Sequence, residues 1–233
     1  MSSSPATSSI PGKFNARAAS VNIDPACNAF LHDCFRQFGI HVVALPSDPA
    51  AFSRQKFEAC ILRLYDPEAE RILKAARGSS SNKNIVLYGI ARSTQEALRY
   101  SNYGINAILD EPLDRQSVLK VVRATHLLVV HELRRYVRVP VVAEALVESG
   151  STTARVMTVE ISSGGMSVRS AQPISSSDSI RISASLPGLQ NLHVRAYVTW
   201  ARPADNIYGL RFDPKDERRL SVRKWIDQYL QIV

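Results

Sequence analysis

Cysteine is scarce in this chain. There are three in 233 residues, Cys27, Cys34 and Cys60, all in the first third. An odd count so placed excludes a disulfide framework and points to reducing, cytoplasmic surroundings. Long apolar runs are missing too. The longest, around Leu127–Val130, sits between His126 and His131 and falls far short of the ~20 residues a bilayer-spanning helix needs, so no membrane insertion is expected. The opening MSSSPATSSIPGKF lacks the charged-then-apolar layout of a secretory signal. No fixed-period repeat appears. The five histidines, His32, His41, His126, His131 and His193, show no metal-ligand spacing. Cys27 and Cys34, seven apart on one helix face, read as small core residues, since no further ligands match them. No helix pattern carries the basic face of a DNA reader, which leaves DNA out of the expected partners. Acidic residues are outnumbered 21 to 29, and the resulting net charge of +8 points to an anionic partner.

What is present is the balance of an ordinary globular protein, 45% apolar and 21% charged, long enough for one large domain or two small ones. Residues 1–17, rich in Ser, Ala and Pro, read as a disordered tail. Residues 18–131 alternate short apolar runs with amphipathic stretches. Strands are expected at Ala18–Ile23, Ile40–Leu45, Ala59–Leu64, Asn84–Tyr88 and Asn106–Leu109. Helices are expected at Asp24–Phe38, Pro67–Arg77, Ser93–Tyr103 and Asp114–His131. Asp24 before Pro25, Asp66 before Pro67 and Ser93 before Gln95–Glu96 supply starts; Gly39, Gly78 and Gly104 supply stops. Strand alternating with helix predicts a doubly wound, parallel five-stranded α/β domain.

From residue 132 the period drops to two. Leu192, Val194, Ala196, Val198 and Trp200 alternate with polar residues, as do Ile180, Ile182, Ala184 and Leu186, and Met157, Val159 and Ile161. Short half-buried strands with Gly/Ser turns predict an all-β antiparallel barrel, closed by a helix over Lys215–Ile232. Residues 132–233 thus form the second domain, with 132–139 as a linker. Fourteen basic residues face nine acidic ones from Arg134 onward, against fifteen and twelve before it, so the smaller part is the more basic.

The first domain resembles the receiver domain of bacterial response regulators. The likeness lies in Asp24–Pro25 after strand one, Phe57–Leu62 in strand three, Gly104 before strand five and Glu111–Pro112 after it. That family moves a phosphoryl group from phosphohistidine to a strand-three aspartate, using an acidic pair that holds Mg²⁺, a strand-four hydroxyl and a lysine. Here the acidic pair falls on Asn22 and Ile23, the acceptor on Arg63, the hydroxyl on Gly89 or Ile90 and the lysine on Glu111. The expectation is a flavodoxin-like pseudo-receiver with an Arg63–Glu111 ion pair where the phosphorylation centre would be. A register slip that promoted Asp66 to acceptor is the alternative. Relatives of this kind often dimerise through the last helix, where Val118, Val122, Val129 and Leu133 are candidates for a homodimer face.

The second domain carries two motifs, Arg134-Arg135-Tyr136-Val137-Arg138 and Glu160-Ile161-Ser162-Ser163-Gly164-Gly165. Tyr197-Val198-Thr199-Trp200 and Tyr208-Gly209-Leu210-Arg211-Phe212 follow. Together they resemble the PilZ domain, whose pattern is Arg-Arg-x-x-Arg and then Asp/Asn-x-Ser-x-x-Gly. The resemblance implies a receptor for cyclic di-GMP. An arginine fork meets guanine O6 and N7 with two parallel bonds, and clustered guanidiniums suit two phosphates. The expected ligand residues are Arg134, Arg135, Arg138, Glu160, Ser162, Gly164 and Gly165, with no catalytic residue, metal or cofactor. Glu160 keeps the charge of the family's Asp but is one methylene longer, a penalty on the order of 1 kcal/mol. The arginine segment is expected to be mobile when free and, on clamping the dinucleotide, to reorient the first domain and signal to a downstream protein. The rival expectation is a scaffold that binds no ligand.

Overall fold

The computed structural model describes residues 16–46, 48, 50–174 and 179–230. Of the expected tail, only Ala16 and Arg17 are among them, and they already belong to the first strand. The chain divides into two compact units between Leu133 and Arg134.

The first unit runs β1 (Ala16–Val21), α1 (Pro25–Arg36), β2 (Ile40–Leu45), α2 (Ala51–Arg54), β3 (Ala59–Arg63), α3 (Ala69–Gly78), β4 (Val86–Ala91), α4 (Thr94–Arg99), β5 (Ala107–Asp110) and α5 (Arg115–Tyr136). All five strands are parallel, in the order β2-β1-β3-β4-β5. That is the doubly wound, flavodoxin-like order, in which function gathers at the carboxyl ends of the strands. The helix starts follow their chemistry: Asp24 accepts from the Cys27 amide at 2.9 Å with Pro25 at the first helical position, and Ser93 accepts from the Glu96 amide at 3.3 Å. Gly39, at φ 68°, turns the chain from α1 into β2 in the left-handed region that a side chain disfavours.

Helices cover both faces of the sheet, so β4 is buried at all six positions. One core packs Cys60, Leu62 and Leu87 against Ile72 and Leu73 of α3. Elsewhere the Tyr88 ring meets Phe35 edge-on at 5.1 Å, and its hydroxyl lies 2.6 Å from Thr125 of α5. Cys34 is fully buried and Cys27 partly so. The apolar residues expected to offer a dimer face do not: Val118, Val122, Val129 and Leu133 are buried, because spacings of three and four put them on the sheet-facing stripe. The exposed apolar residues of α5 are Leu127 and Leu128. Lys56 caps the buried carboxylate of Glu132 on this helix at 2.8 Å.

The second unit contains β6 (Val139–Pro140), β7 (Glu144–Ser149), β8 (Thr152–Ser162), β9 (Gly165–Ser170), β10 (Ile180–Leu186), β11 (Leu189–Arg202), β12 (Ile207–Phe212) and α6 (Arg219–Tyr229). Antiparallel pairing runs β6-β8-β7-β10-β11-β12-β9, and β9 pairs back onto β8. The six strands β7 to β12 therefore close into a barrel with no free edge among them, and β6 lies alongside β8. Val156, Ile161, Val168, Ile182, Val194 and Leu210 fill its interior; α6 buries Val222, Trp225 and Ile226.

Two bulges break the expected alternation. Pairing of β8 with β9 shifts between Thr158 and Glu160, leaving Val159 as an extra residue. Val156 and Thr158 consequently point inward and Met157 outward, the reverse of the sequence pattern. Pairing of β11 with β12 shifts between Val198 and Trp200, so Trp200 is turned out of the core at 42% exposure.

Asp216 joins β11 to the start of α6. Its carboxylate accepts from the Arg195 amide at 2.8 Å, from the Arg218 amide at 3.1 Å, and from the Arg218 guanidinium at 2.7 and 2.9 Å. The Arg218 bonds, with the backbone amides, hold the carboxyl far below the usual carboxylate range. The stabilisation is therefore complete above the unfolded-chain value near ~4 and is lost as pH falls through the lower folded value. Asp216→Asn is expected to cost about 2 kcal/mol at pH 7, a difference that shrinks as denaturation is measured from pH 4 downward.

Candidate functional site

In the first unit, the carboxyl ends of β1, β3 and β5 bring Asp24, Arg63 and Glu111 together. Arg63 Nη2 donates to Asp24 Oδ2 at 2.6 Å, while its Nε lies 3.9 Å from Glu111 Oε1. The expected Arg63–Glu111 pair is thus present but long, and Asp24 is the closer partner. Glu111 accepts from the Tyr65 hydroxyl at 2.9 Å and from Arg92 Nε at 3.1 Å, and the Arg92 guanidinium lies 3.6 Å from the centre of the Tyr65 ring. Burial pushes the Glu111 carboxyl up, but the bonds from Tyr65 and Arg92 outweigh it and leave the group below its ordinary value. Leu64 packs over Gly89, where a Cβ would come within 2.6 Å of it. Asp66 lies beyond the end of β3. It bonds the Asn22 amide group and caps the Glu68 amide at 2.8 Å.

In the second unit, a cavity of about 380 Å³ opens on the barrel wall. That is within the size range of small-ligand sites. Six of the seven expected ligand residues line it: Arg135, Arg138, Glu160, Ser162, Gly164 and Gly165. Pairing explains the convergence. Val139 and Pro140 of β6 lie opposite Ile161 and Glu160 of β8, so the segment that follows Arg138 is fixed beside the strand that carries Glu160. Beyond Ser162 the chain turns through Ser163 and Gly164 into β9.

Arg134 is placed differently. The segment expected to be a mobile linker is helical through Tyr136, the last turn of α5, where cations meet the helix's negative end. Neighbouring residues on a helix project about 100° apart, from 3.6 residues per turn, so Arg134 and Arg135 cannot face the same way. Arg135 lines the cavity. Arg134 donates from Nε to Asp227 Oδ1 of α6 at 2.6 Å.

The serine and glycines each hold a place in the fold as well. Ser162 is buried and donates its hydroxyl proton to the Gly165 carbonyl at 3.0 Å, closing the turn while leaving oxygen lone pairs to accept. Neither Gly164 nor Gly165 has a positive φ. Gly165 is required by β12, since a Cβ there would lie 2.1 Å from the Leu210 carbonyl oxygen, whereas a Cβ on Gly164 would meet nothing within 4 Å.

Sequence periodicity missed Trp200 and Arg211, which complete the wall with Thr199, Ser167 and Met166. The Trp200 ring lies over Gly209, where a Cβ would come within 2.1 Å of the indole. Arg211 sits on β12, opposite Gly165 of β9. Three guanidiniums and one carboxylate thus surround an exposed aromatic ring. Such a set can bond paired acceptors, neutralise phosphate and stack a flat base. Among the described residues there is no cluster of three His, Cys, Asp or Glu able to hold a metal, and no helix long and apolar enough to cross a membrane.

Comparison with known proteins gives a family for the second unit and similar structures for the first. Residues 132–231 match the family model of the PilZ domain, and this part of the chain is a PilZ domain. The first half is similar to the chemotaxis response regulator CheY4 of Vibrio cholerae, at 17% identity over 48% of this chain and 98% of that one, with a TM-score of 0.43. It is also similar to a CheY-like receiver domain protein of Methanospirillum hungatei, at 15% identity over 51% and 99%, with a TM-score of 0.43. The receiver domain of a sensor histidine kinase from Pseudomonas aeruginosa gives 14% over 48% and 98%, with a TM-score of 0.41. No curated protein sequence matches the chain. The chain joins a doubly wound α/β domain to a PilZ domain.

Proposed function

We propose that the protein is a non-enzymatic receptor for cyclic di-GMP, acting in the cytoplasm through the cavity of its PilZ domain. The observation that carries this reading is the convergence of Arg135 and Arg138 with Glu160 and the Ser162–Gly165 turn on one cavity. An arginine fork takes guanine O6 and N7, and the second guanidinium takes a phosphate. Glu160 accepts from guanine N1–H and N2–H. Trp200 offers its face to the base, and the open side of Gly164 lets the backbone lie close to the ligand. Arg135 belongs to the last turn of α5, a helix that begins in the receiver-like domain. Ligand contact at this turn biases how the first domain is presented, and a downstream protein reads the change. A ligand shifts such an equilibrium only by its different affinity for the two arrangements.

Calorimetry of the full chain with cyclic di-GMP tests the proposal. Saturable binding that quenches Trp200 emission, with the quench lost in Trp200→Phe, is the expected result. No heat at any concentration up to about 1 mM, the range of a bare −4 kcal/mol contact, overturns it and leaves an interaction module that binds no ligand.

A further inference from the structure

We propose that Asp227 of α6 sets the affinity of the cavity by competing with the ligand for Arg134; this rests on the cavity's being the anionic dinucleotide site. The Arg134–Asp227 pair is close, at 2.6 Å, and its two side chains are only 18% and 23% exposed. It is therefore a charge-assisted bond partly shielded from solvent and salt. Its charges are also placed unequally. Arg134 sits at the end of α5, where a cation belongs. Asp227 lies in the last turn of α6, a turn without any basic residue, where a carboxylate faces the helix's negative end. Asp227 thus gains nothing from the end of its own helix, and Arg134 bonds it from outside that helix.

Arg134 stands at the cavity without entering it. Its carbonyl oxygen accepts from the Ser163 hydroxyl at 3.4 Å, so its backbone touches the turn that forms the wall. Its side chain is long and flexible enough to swing between two anions, and a ligand phosphate is the second. Binding through Arg134 therefore requires it to leave Asp227. That exchange weakens the ligand and releases one tie of α6, whose remaining anchors include the Trp225 indole bonded to the Pro187 carbonyl at 2.7 Å.

Cyclic di-GMP titration of the full-length parent, Asp227→Asn, Asp227→Glu and the double variant Arg134→Ala/Asp227→Asn tests this. Asp227→Asn is expected to bind about tenfold tighter, Asp227→Glu like the parent, and the double variant to lose the gain. Hydrogen exchange over residues 219–229 reads the same event: ligand raises it in the parent, while in Asp227→Asn it is already raised without ligand. Equal or weaker binding by Asp227→Asn, with the parent binding normally, overturns the competition and leaves the site standing. Binding by Asp227→Asn alone supports both. Absence of binding in every variant removes the site and the competition together.

Discussion

Arg135→Ala or Arg138→Ala will weaken cyclic di-GMP binding by roughly 30- to 100-fold, the equivalent of about 2–3 kcal/mol for a lost charge-assisted contact to an anionic ligand. Both side chains are exposed and line the cavity, so their removal creates no hole and the melting temperature should hardly move. Arg134→Ala is the informative control. Its guanidinium is committed to Asp227, and the loss of affinity should be several-fold at most. Calorimetry on the three variants separates a site made by three equivalent arginines from one in which the helix has divided them. Equal losses at all three positions would contradict the division. An Arg135→Ala variant that binds like the parent would remove the site itself.

The second large effect concerns folding. Gly165→Ala is expected to cost at least about 3 kcal/mol, because its Cβ would lie 2.1 Å from the Leu210 carbonyl oxygen, and a backbone atom cannot step aside without parting β9 from β12. Those strands close the barrel, so denaturant midpoint and soluble yield should both fall. Gly164→Ala gives the opposite pattern. Nothing lies within 4 Å of its Cβ, so stability should hold to within ~0.5 kcal/mol while ligand affinity drops, the new methyl group standing where the ligand approaches. Adjacent glycines thus answer to different demands. A Gly164→Ala variant that binds as well as the parent would place the ligand elsewhere on the wall.

Much of the fold was legible in the residues. Apolar runs bounded by Asp24, Gly39 and Ser93 marked the alternation of strand and helix, and the change of period near residue 132 marked the all-β part. What escaped detection has physical causes. Four-residue α2 is too short to show a helical period. Leu127 and Leu128 interrupt the apolar stripe of α5 on its exposed side, which blurs the face in the sequence, and Val118, Val122, Val129 and Leu133, offered as a dimer face, are buried. The extra residues Val159 and Thr199 leave no mark in composition, yet each reverses the faces of the strand beyond it. Trp200 was therefore read as core when it walls the cavity. Most of the expected residues that line the cavity were legible as two motifs. The role of Arg134 was not, since its partner lies 93 residues further on and only the fold brings Asp227 to it.

The extra residue in β8 also localises the bend of the wall that carries Glu160. With Val159 removed, Thr158 and Glu160 become consecutive opposite Val168 and Ser167, so an unbroken ladder replaces the bulge and every partner downstream is kept. What is lost is the added twist at Glu160 alone, so one deletion reshapes the mouth of the cavity while the closure of the barrel stays intact.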